Sequence, residues 1–179
     1  DVVRLGALEK FGGVYMDTDV EILRPLGDLM NLPAFTGYEA SMKNAPVTGL
    51  MASASHGVWV REQLAYYDGK HFVQPDGALD MTPNTITIAN IMVAGGFTID
   101  GKYQVYKGDM HVFPVDYFCP LTSTRVLKLT KNTYCIHHFA GSWVEKTRGQ
   151  LIKEWIVTHI LGRKLTDKIV QVKRKIRGK

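Results

Sequence analysis

The chain has 179 residues, 45% of them hydrophobic and 22% charged, which is the composition of a globular domain and excludes a disordered or fibrous protein. No apolar run approaches the roughly 20 residues of a membrane-spanning helix, and no stretch resembles a signal peptide. The net charge of +5 is uneven, because residues 163–179 hold eight of the 22 basic residues and one of the 17 acidic ones. That tail carries +7 and leaves −2 on the first 162 residues, so the high isoelectric point belongs to the tail.

The first third of the chain predicts a helix followed by strands. Apolar residues recur at helical spacing over residues 1–11, and Gly12-Gly13 ends the predicted helix. The run VYM predicts a buried strand over residues 14–17, and VEIL predicts a second strand over residues 21–23. Two more strands are predicted for AFTGYEA and VTGLMASA.

The rest of the chain alternates between helices, loops and extended segments. The patterns predict helices over 57–67, 85–94, 150–161 and 165–176, a loop over 68–84, a hairpin around Asp100-Gly101, and aromatic-rich extended segments in MHVFPVDYFCP and TYCIHHFAGSW. This alternation indicates an α/β fold. Ligands of α/β sheets bind beyond the carboxyl ends of the strands, and Asp17 and Asp19 follow such an end.

Two aspartates interrupt the apolar pattern of FGGVYMDTDVEIL, residues 11–23. Carboxylates at the end of a strand cost desolvation energy unless a cation compensates their charge. Because side chains alternate along an extended chain, Asp17 and Asp19 point to one side and can share an ion. Mg²⁺ and Mn²⁺ favour such oxygen ligands. The position after a strand and a Gly-Gly turn therefore favours a metal site over a solvated acidic turn.

A second polar group lies in IHHFAGSW, residues 136–143. Alternation along an extended segment turns His137 and His138 to opposite faces, so only one of them reaches a given site. Histidine is a common metal ligand, and a nearby Trp can stack on a base or a sugar. By itself, the segment is equally compatible with a core strand that holds one satisfied histidine and a packed Trp.

The tail and the two cysteines bear on where the protein works. Basic residues flank an apolar stripe over residues 165–176, which suits an amphipathic helix on an anionic membrane surface. The same pattern is compatible with a solvated helix or a nucleic-acid patch.

Cys119 and Cys135 lack metal-type spacing, which favours buried free thiols in a reducing compartment over a disulfide. We therefore expect a cytoplasmic protein that associates peripherally with the cytoplasmic membrane face.

Together these motifs resemble the small DXD-containing glycosyltransferases of capsular and lipopolysaccharide synthesis, relatives of the yeast initiating mannosyltransferase and the glucosylating bacterial toxins. Their signature is an Asp-x-x-Arg helix, a Gly-Gly turn, an aromatic residue and D-x-D before an apolar strand. The matching residues here are Asp1, Arg4, Gly12, Gly13, Tyr15, Asp17 and Asp19. NTYCIHHFAGSW is similar to the closing motif of the family. By themselves, Asp1 and Arg4 would be only an exposed ion pair worth at most about 0.5 kcal/mol.

The resemblance implies a GT-A fold, a nucleotide-sugar donor, a Mn²⁺ or Mg²⁺ ion and retention of the anomeric configuration. It implies the metal ligands Asp17, Asp19 and His138, with His137 as the alternative. It also implies donor contacts from Asp1, Arg4, Asp17, Asn84, Ser142 and Trp143, and it assigns no catalytic residue.

The family pattern also sets expectations for the partners and the domain layout. The acceptor would be a glycan or a lipid-linked glycan, and no nucleic acid is expected as a partner. We expect a catalytic domain over residues 1–162 and a separate basic amphipathic helix over residues 163–179. The first nucleotide-binding strands of the family precede the position of residue 1, so the domain is expected to lack them.

Two other classes of function fit parts of the sequence. A metal-dependent phosphatase that opens with a strand and D-x-D needs Thr or Val two residues after the second Asp, where Glu21 stands. A non-enzymatic lipid- or nucleic-acid-binding module would depend on the tail alone and leaves both motifs unexplained. The sequence therefore favours a metal-dependent hexosyltransferase.

Overall fold

The protein is described by a computed structural model over residues 2–39, 45–47, 49–122, 126–140 and 148–149. In chain order the elements are α1 (Val2–Phe11), β1 (Gly13–Met16), β2 (Val20–Ile22), β3 (Ala34–Gly37), β4 (Leu50–Ser53), α2 (Val58–Ala65), α3 (Asn84–Ala94), β5 (Gln104–Tyr106), β6 (Met110–Phe113), α4 (Val115–Phe118) and β7 (Cys135–His137). Helices and strands are interspersed along the chain, although β1 to β4 follow one another directly, and the mixed α/β content confirms the predicted α/β class. Among these residues, no helix has the length and apolar character needed to cross a membrane.

Five strands form the main sheet in the order β1-β4-β3-β6-β5. The β3 and β6 strands pair in parallel, and the other three pairs are antiparallel. The remaining strands, β2 and β7, form a separate antiparallel pair in which Val20 lies opposite His137. This small sheet brings the segment after the two aspartates into contact with a strand more than a hundred residues later in the chain.

The sheet separates two apolar clusters because its side chains alternate between its faces. On one face, residues of α1, α2 and α3 pack together, with Leu5, Trp59 and Ile88 at most 1% exposed. On the other face, Phe35, Leu50 and residues around α4 and β7 form the second cluster. Both faces of β3 and β4 are therefore buried, whereas β1 and β5 lie at the two edges of the sheet.

The first helix ends where the sequence predicts. Gly12 has a φ of 66° and its N–H donates to the carbonyl of Leu8 at 2.8 Å. A Cβ at Gly12 would lie 2.7 Å from the backbone nitrogen of Ser55, so glycine is needed for both conformation and space. The apolar face is narrower than predicted, because Leu5 and Leu8 are buried while Phe11 is 74% exposed.

Several predictions of secondary structure are wrong, among them the extended conformation of MHVFPVDYFCP, in which the helix α4 occupies Val115–Phe118. The VYM segment is not a buried strand, because β1 lies at the edge of the sheet and Met16 is 42% exposed. The hairpin is not at Asp100-Gly101, where the Asp100 side chain accepts the N–H of Lys102 in a local turn. The chain reverses instead between β5 and β6, where Lys107 and Gly108 have φ values of 50° and 70°. An Asp-Gly pair indicates a turn, but a hairpin also needs two strands with the correct register.

Other predictions agree with the fold or fall outside it. The helices predicted over 57–67 and 85–94 correspond to α2 and α3, and the segment between them is a loop with one isolated bridge between Val73 and Leu79. Cys119 and Cys135 are buried free thiols, as predicted. The helices predicted over 150–161 and 165–176 lie outside the described residues.

Candidate active site

Asp17 and Asp19 flank a tight turn between β1 and β2. The N–H of Asp17 donates to the carbonyl of Gly49 at 2.7 Å, which continues the pairing of β1 with the β4 side of the sheet. The N–H of Val20 donates to the carbonyl of Asp17 at 3.1 Å and closes the turn. Both carboxylates are consequently held just beyond the carboxyl end of β1, the end of a strand at which ligands are expected.

His137 comes to these aspartates because β7 pairs with β2. Its Nε2 atom lies 3.4 Å from Oδ1 of Asp19 and 3.9 Å from Oδ2 of Asp17. The residue is only 9% exposed. The β2–β7 register, with Val20 opposite His137, fixes this position.

His138 points elsewhere because adjacent residues of an extended chain face opposite sides. Its Nε2 atom lies 2.7 Å from Oε2 of Glu21, and both side chains are about half exposed. Its backbone N–H donates to the carbonyl of Asp19 at 2.9 Å. The structure thus brings His137, and not the first choice His138, together with the two aspartates.

Each carboxylate has one oxygen held by the protein and turns the other toward His137. Oδ1 of Asp17 accepts the Tyr15 hydroxyl at 2.7 Å and Arg4 Nη1 at 3.2 Å. Oδ2 of Asp19 accepts the backbone N–H of Ala140 at 2.7 Å. One ligand atom from each of Asp17, Asp19 and His137 lies within 4.8 Å of the other two. Two carboxylates and an imidazole at this spacing match the donor set that Mn²⁺ accepts.

Arg4 and Tyr15 form a support behind Asp17. The Arg4 guanidinium carbon lies 4.7 Å from the centre of the Tyr15 ring, a cation–π contact. Burial raises the pKa of the Tyr15 hydroxyl, and its hydrogen bond to Asp17 raises it further. Tyr15 therefore remains a neutral hydrogen-bond donor to Asp17 at ordinary pH.

Gly49 lies directly beside the side chains of Asp17 and His137, and none of the sequence motifs identified it. A Cβ at this position would lie 3.0 Å from Oδ2 of Asp17 and 3.2 Å from Cε1 and Nδ1 of His137. Within the described ranges, Nδ1 of His137 is buried and has no hydrogen-bond partner. Gly49 precedes a strand in the sequence, and only the pairing of β1 with β4 shows that it borders the two acids.

The remaining donor-binding candidates are less closely connected to this group. Asn84 opens α3 and is 9% exposed, and its Nδ2 atom has no hydrogen-bond partner among the residues that the structure describes. Asp1, Ser142 and Trp143 lie outside the described residues. Arg4, Asp17, Asp19 and the alternative metal ligand His137 are thus the predicted residues that the structure brings into one group.

The comparison with known families bears directly on this group. Residues 1–38 match the family described as the glycosyltransferase sugar-binding region containing DXD motif. The match supports the assignment of a glycosyltransferase activity in general terms. A glycosyltransferase with this region implies a nucleotide-sugar donor and an acceptor. Comparison with curated proteins gives no match, and neither does comparison with solved structures.

The matched segment and the structural site overlap only in part. Residues 1–38 include α1, both aspartates and the strands β1 to β3. Gly49 and His137 lie beyond the match and join the glycosyltransferase motif through strand pairing. The motif therefore supplies only part of the site, and the fold adds Gly49 and His137 from distant parts of the chain.

Proposed function

We propose that this protein is a metal-dependent glycosyltransferase that transfers a hexose from a nucleotide-diphosphate sugar to a glycan or lipid-linked acceptor, with retention of configuration. The convergence of His137 with Asp17 and Asp19, the two aspartates of the DXD-matched region, supports this proposal most strongly. The mixed sheet, with the acids at a strand's carboxyl end, is compatible with a fold of the GT-A type. Capsular or lipopolysaccharide synthesis is the setting that the resemblance suggests.

The donor set fits a divalent cation. Oδ2 of Asp17, Oδ1 of Asp19 and Nε2 of His137 are the ligand atoms that would hold Mn²⁺ or Mg²⁺. The ion would neutralise the negative charge that develops on the leaving nucleotide diphosphate. Gly49 leaves the space beside these atoms free of a side chain.

The protein's own charges explain the need for a cation. Asp17 and Asp19 repel a diphosphate, and Arg4 offsets only part of their charge because its guanidinium already contacts Asp17. Tyr15 holds Asp17 in place by a 2.7 Å hydrogen bond, and the N–H of Ala140 does the same for Asp19. These fixed contacts keep the remaining oxygens in position before the donor arrives, which is the preorganisation that electrostatic catalysis requires.

Several assignments remain part of the proposal. Arg4 and Asn84 would contact the donor phosphate and sugar, together with Asp1, Ser142 and Trp143. The acceptor would reach the same edge of the sheet. Residues 163–179 would bind the cytoplasmic membrane face and leave residues 1–162 as the catalytic domain.

The direct test is Asp19→Asn, with Glu21→Gln as the matched control. The first change removes a proposed ligand, whereas the second neutralises a half-exposed acid two residues away that faces His138. Mn²⁺ binding and hydrolysis of a panel of UDP- and GDP-sugars should fall at least about 100-fold in Asp19→Asn. Glu21→Gln should remain near wild type. If neither EDTA nor Asp19→Asn changes turnover while circular dichroism shows a native fold, the metal role is wrong.

A histidine pair refines the same test. His137→Ala should weaken Mn²⁺ binding, because it removes a nitrogen close to both carboxylates. His138→Ala should leave Mn²⁺ binding nearly unchanged, because its ring faces Glu21. The opposite result would assign the metal to His138.

A further inference from the structure

A row of aromatic side chains lies on the side of the main sheet opposite α1, α2 and α3. The rings of Tyr103 and Phe113 have their centres 5.2 Å apart, and those of Phe113 and Tyr117 are 4.8 Å apart. Tyr103 is 47% exposed, and the other two are half-buried. We call these three residues the aromatic platform. The metal site proposed above does not use any of them.

Strand register places the platform at the same end of the strands as the D-x-D motif. Met16, the residue before Asp17, pairs with Leu50 on β4. Thr36 pairs with Met51, which sets Gly37 beside Leu50, and Gly37 pairs with Phe113. Three interstrand spacings therefore separate Met16 from Phe113, about 14 Å at roughly 4.8 Å per spacing. Phe113 and Met16 belong to one row and face the same side of the sheet, whereas Asp17 faces the other side together with Tyr15, so the platform and the D-x-D site approach each other around this end of the strands.

The β7 strand connects the platform to the site by a second route. The ring of Tyr117 stacks on that of Tyr134 with centres 6.2 Å apart, and the N–H of Tyr134 donates to the carbonyl of Tyr117 at 2.7 Å. His137 follows Tyr134 by three residues, about 10 Å of extended chain. One continuous stretch of backbone thus positions both the platform and a proposed metal ligand.

Polar groups lie beside the exposed rings. The Tyr103 hydroxyl is 2.7 Å from Nδ1 of His111, whose ring is also half-buried. Next to Tyr117, the Asp116 carboxylate accepts hydrogen bonds from Thr130 at 2.8 Å and Asn132 at 3.1 Å. Sugar rings combine apolar C–H faces with hydroxyl groups at their rims, so they suit a surface of flat rings with polar neighbours.

We propose that the aromatic platform binds sugar units of the acceptor glycan while the D-x-D site holds the donor. Tyr103, the most exposed of the three rings, stacks on a sugar face, and Phe113 and Tyr117 pack behind it as a support. A short oligosaccharide spans the distance from the platform around the end of the strands to Asp17. The acceptor assignment depends on the proposed glycosyl transfer, whereas carbohydrate binding by the platform does not.

The test measures binding of glucose, mannose, galactose and N-acetylglucosamine hexasaccharides to the full chain without donor, by calorimetry and saturation-transfer NMR. At least one hexasaccharide should bind, and Tyr103→Ala should weaken that binding about tenfold, the effect of losing one well-placed aromatic contact. Tyr103→Phe keeps the ring face and should retain most of the affinity. Phe11→Ala, which removes a 74% exposed ring from α1, is the matched control and should bind like wild type.

Two further measurements separate this proposal from the proposed function. Tyr103→Ala should leave donor hydrolysis near wild type, and Asp19→Asn should leave hexasaccharide binding unchanged. The platform proposal is overturned if no hexasaccharide binds, or if Tyr103→Ala and Phe11→Ala bind equally well. If Asp19→Asn keeps full donor hydrolysis while Tyr103→Ala loses sugar binding, the metal mechanism fails and the platform stands.

Discussion

Gly49 determines how closely Asp17 and His137 approach each other. A methyl group there would lie 3.0 Å from the Asp17 carboxylate and 3.2 Å from the His137 ring, closer than ordinary van der Waals contact. The backbones of both residues are held by strand pairing, so one of the two side chains has to shift by a few tenths of an ångström. We expect Gly49→Ala to lower Mn²⁺ affinity about 10- to 100-fold, as changes to the groups that orient metal ligands typically do. Titration with Mn²⁺ followed by electron paramagnetic resonance measures the loss.

Gly6→Ala is the matched control for this substitution. A Cβ at Gly6 meets no atom within 4 Å, and the residue lies inside α1. Replacing glycine by alanine in a helix stabilises by roughly 0.5–1 kcal/mol, so the variant should unfold at a slightly higher temperature and bind Mn²⁺ normally. Equal Mn²⁺ affinity in both variants would show that the space beside Gly49 does not matter for the ion.

At the scale of elements, α2 depends on a cap supplied from another part of the chain. Its N-cap residue is Gly57, which has no side chain that could accept a hydrogen bond from the first turn of the helix. The N–H of Trp59 donates instead to Oδ2 of Asp109 at 2.6 Å, and Asp109 is 8% exposed. A carboxylate here satisfies a free N–H and interacts favourably with the helix dipole. The turn between β5 and β6 therefore fixes the start of α2.

We expect Asp109→Ala to lower the free energy of unfolding by about 1–2 kcal/mol, the usual cost of losing an N-cap. Urea unfolding followed by circular dichroism measures the change. Asp76→Ala is the control, because Asp76 accepts only a local N–H in an exposed loop, and such surface changes cost within about 0.5 kcal/mol. Similar losses in the two variants would argue against a special role for Asp109.

At the scale of the whole molecule, the buried thiol and phenols make the fold sensitive to alkali. Burial, with a smaller effect of Cys119, raises the pKa of Cys135 from 9.0 to about 12. Burial also raises the pKa values of Tyr38, Tyr67, Tyr106 and Tyr134. Between pH 9 and 12 the unfolded chain loses the Cys135 proton while the folded chain keeps it. The contribution of the protonated Cys135 thiol to the free energy of unfolding is therefore complete below pH 9 and is lost as the pH rises toward 12.

The expected slope for the thiol is at most about 1.4 kcal/mol of unfolding free energy per pH unit. Urea unfolding at several pH values from 8 to 11 measures it. Cys135→Ala removes the thiol and should give a shallower decline, with the tyrosines accounting for the rest. An identical slope in both proteins would mean that Cys135 does not contribute to the alkaline sensitivity.

The C-terminal tail carries the second prediction at this scale. Each Lys or Arg near an anionic surface contributes about 1 kcal/mol, and residues 163–179 carry a net +7. We expect co-sedimentation with liposomes that contain anionic lipid, weakening as salt screens the charges. Deleting residues 163–179 should abolish this binding and preserve donor hydrolysis, because the proposed donor and metal residues all precede residue 144. Loss of hydrolysis in a folded truncated protein would assign the tail to the catalytic unit.

Local signals in the sequence determined most of the elements and half of the site. Apolar residues at helical spacing and the Gly12-Gly13 stop predict α1, and the same reasoning predicts α2 and α3. The D-x-D pair, its position after a strand and its suitability for a divalent ion are also local properties. They depend on residues within a few positions of Asp17 and Asp19, and alternation along the backbone is enough to place both carboxylates on one side.

Tertiary structure alone decided which distant groups meet those acids. The register of β2 with β7 selects His137 over His138, since a shift of one residue would exchange the two rings. Pairing of β1 with β4 brings Gly49 beneath the carboxylates, and it leaves β1 at the sheet edge although its sequence resembles a buried strand. Strand pairing joins segments far apart in the chain, and short-range patterns of hydrophobicity carry no record of which segments join or in which register.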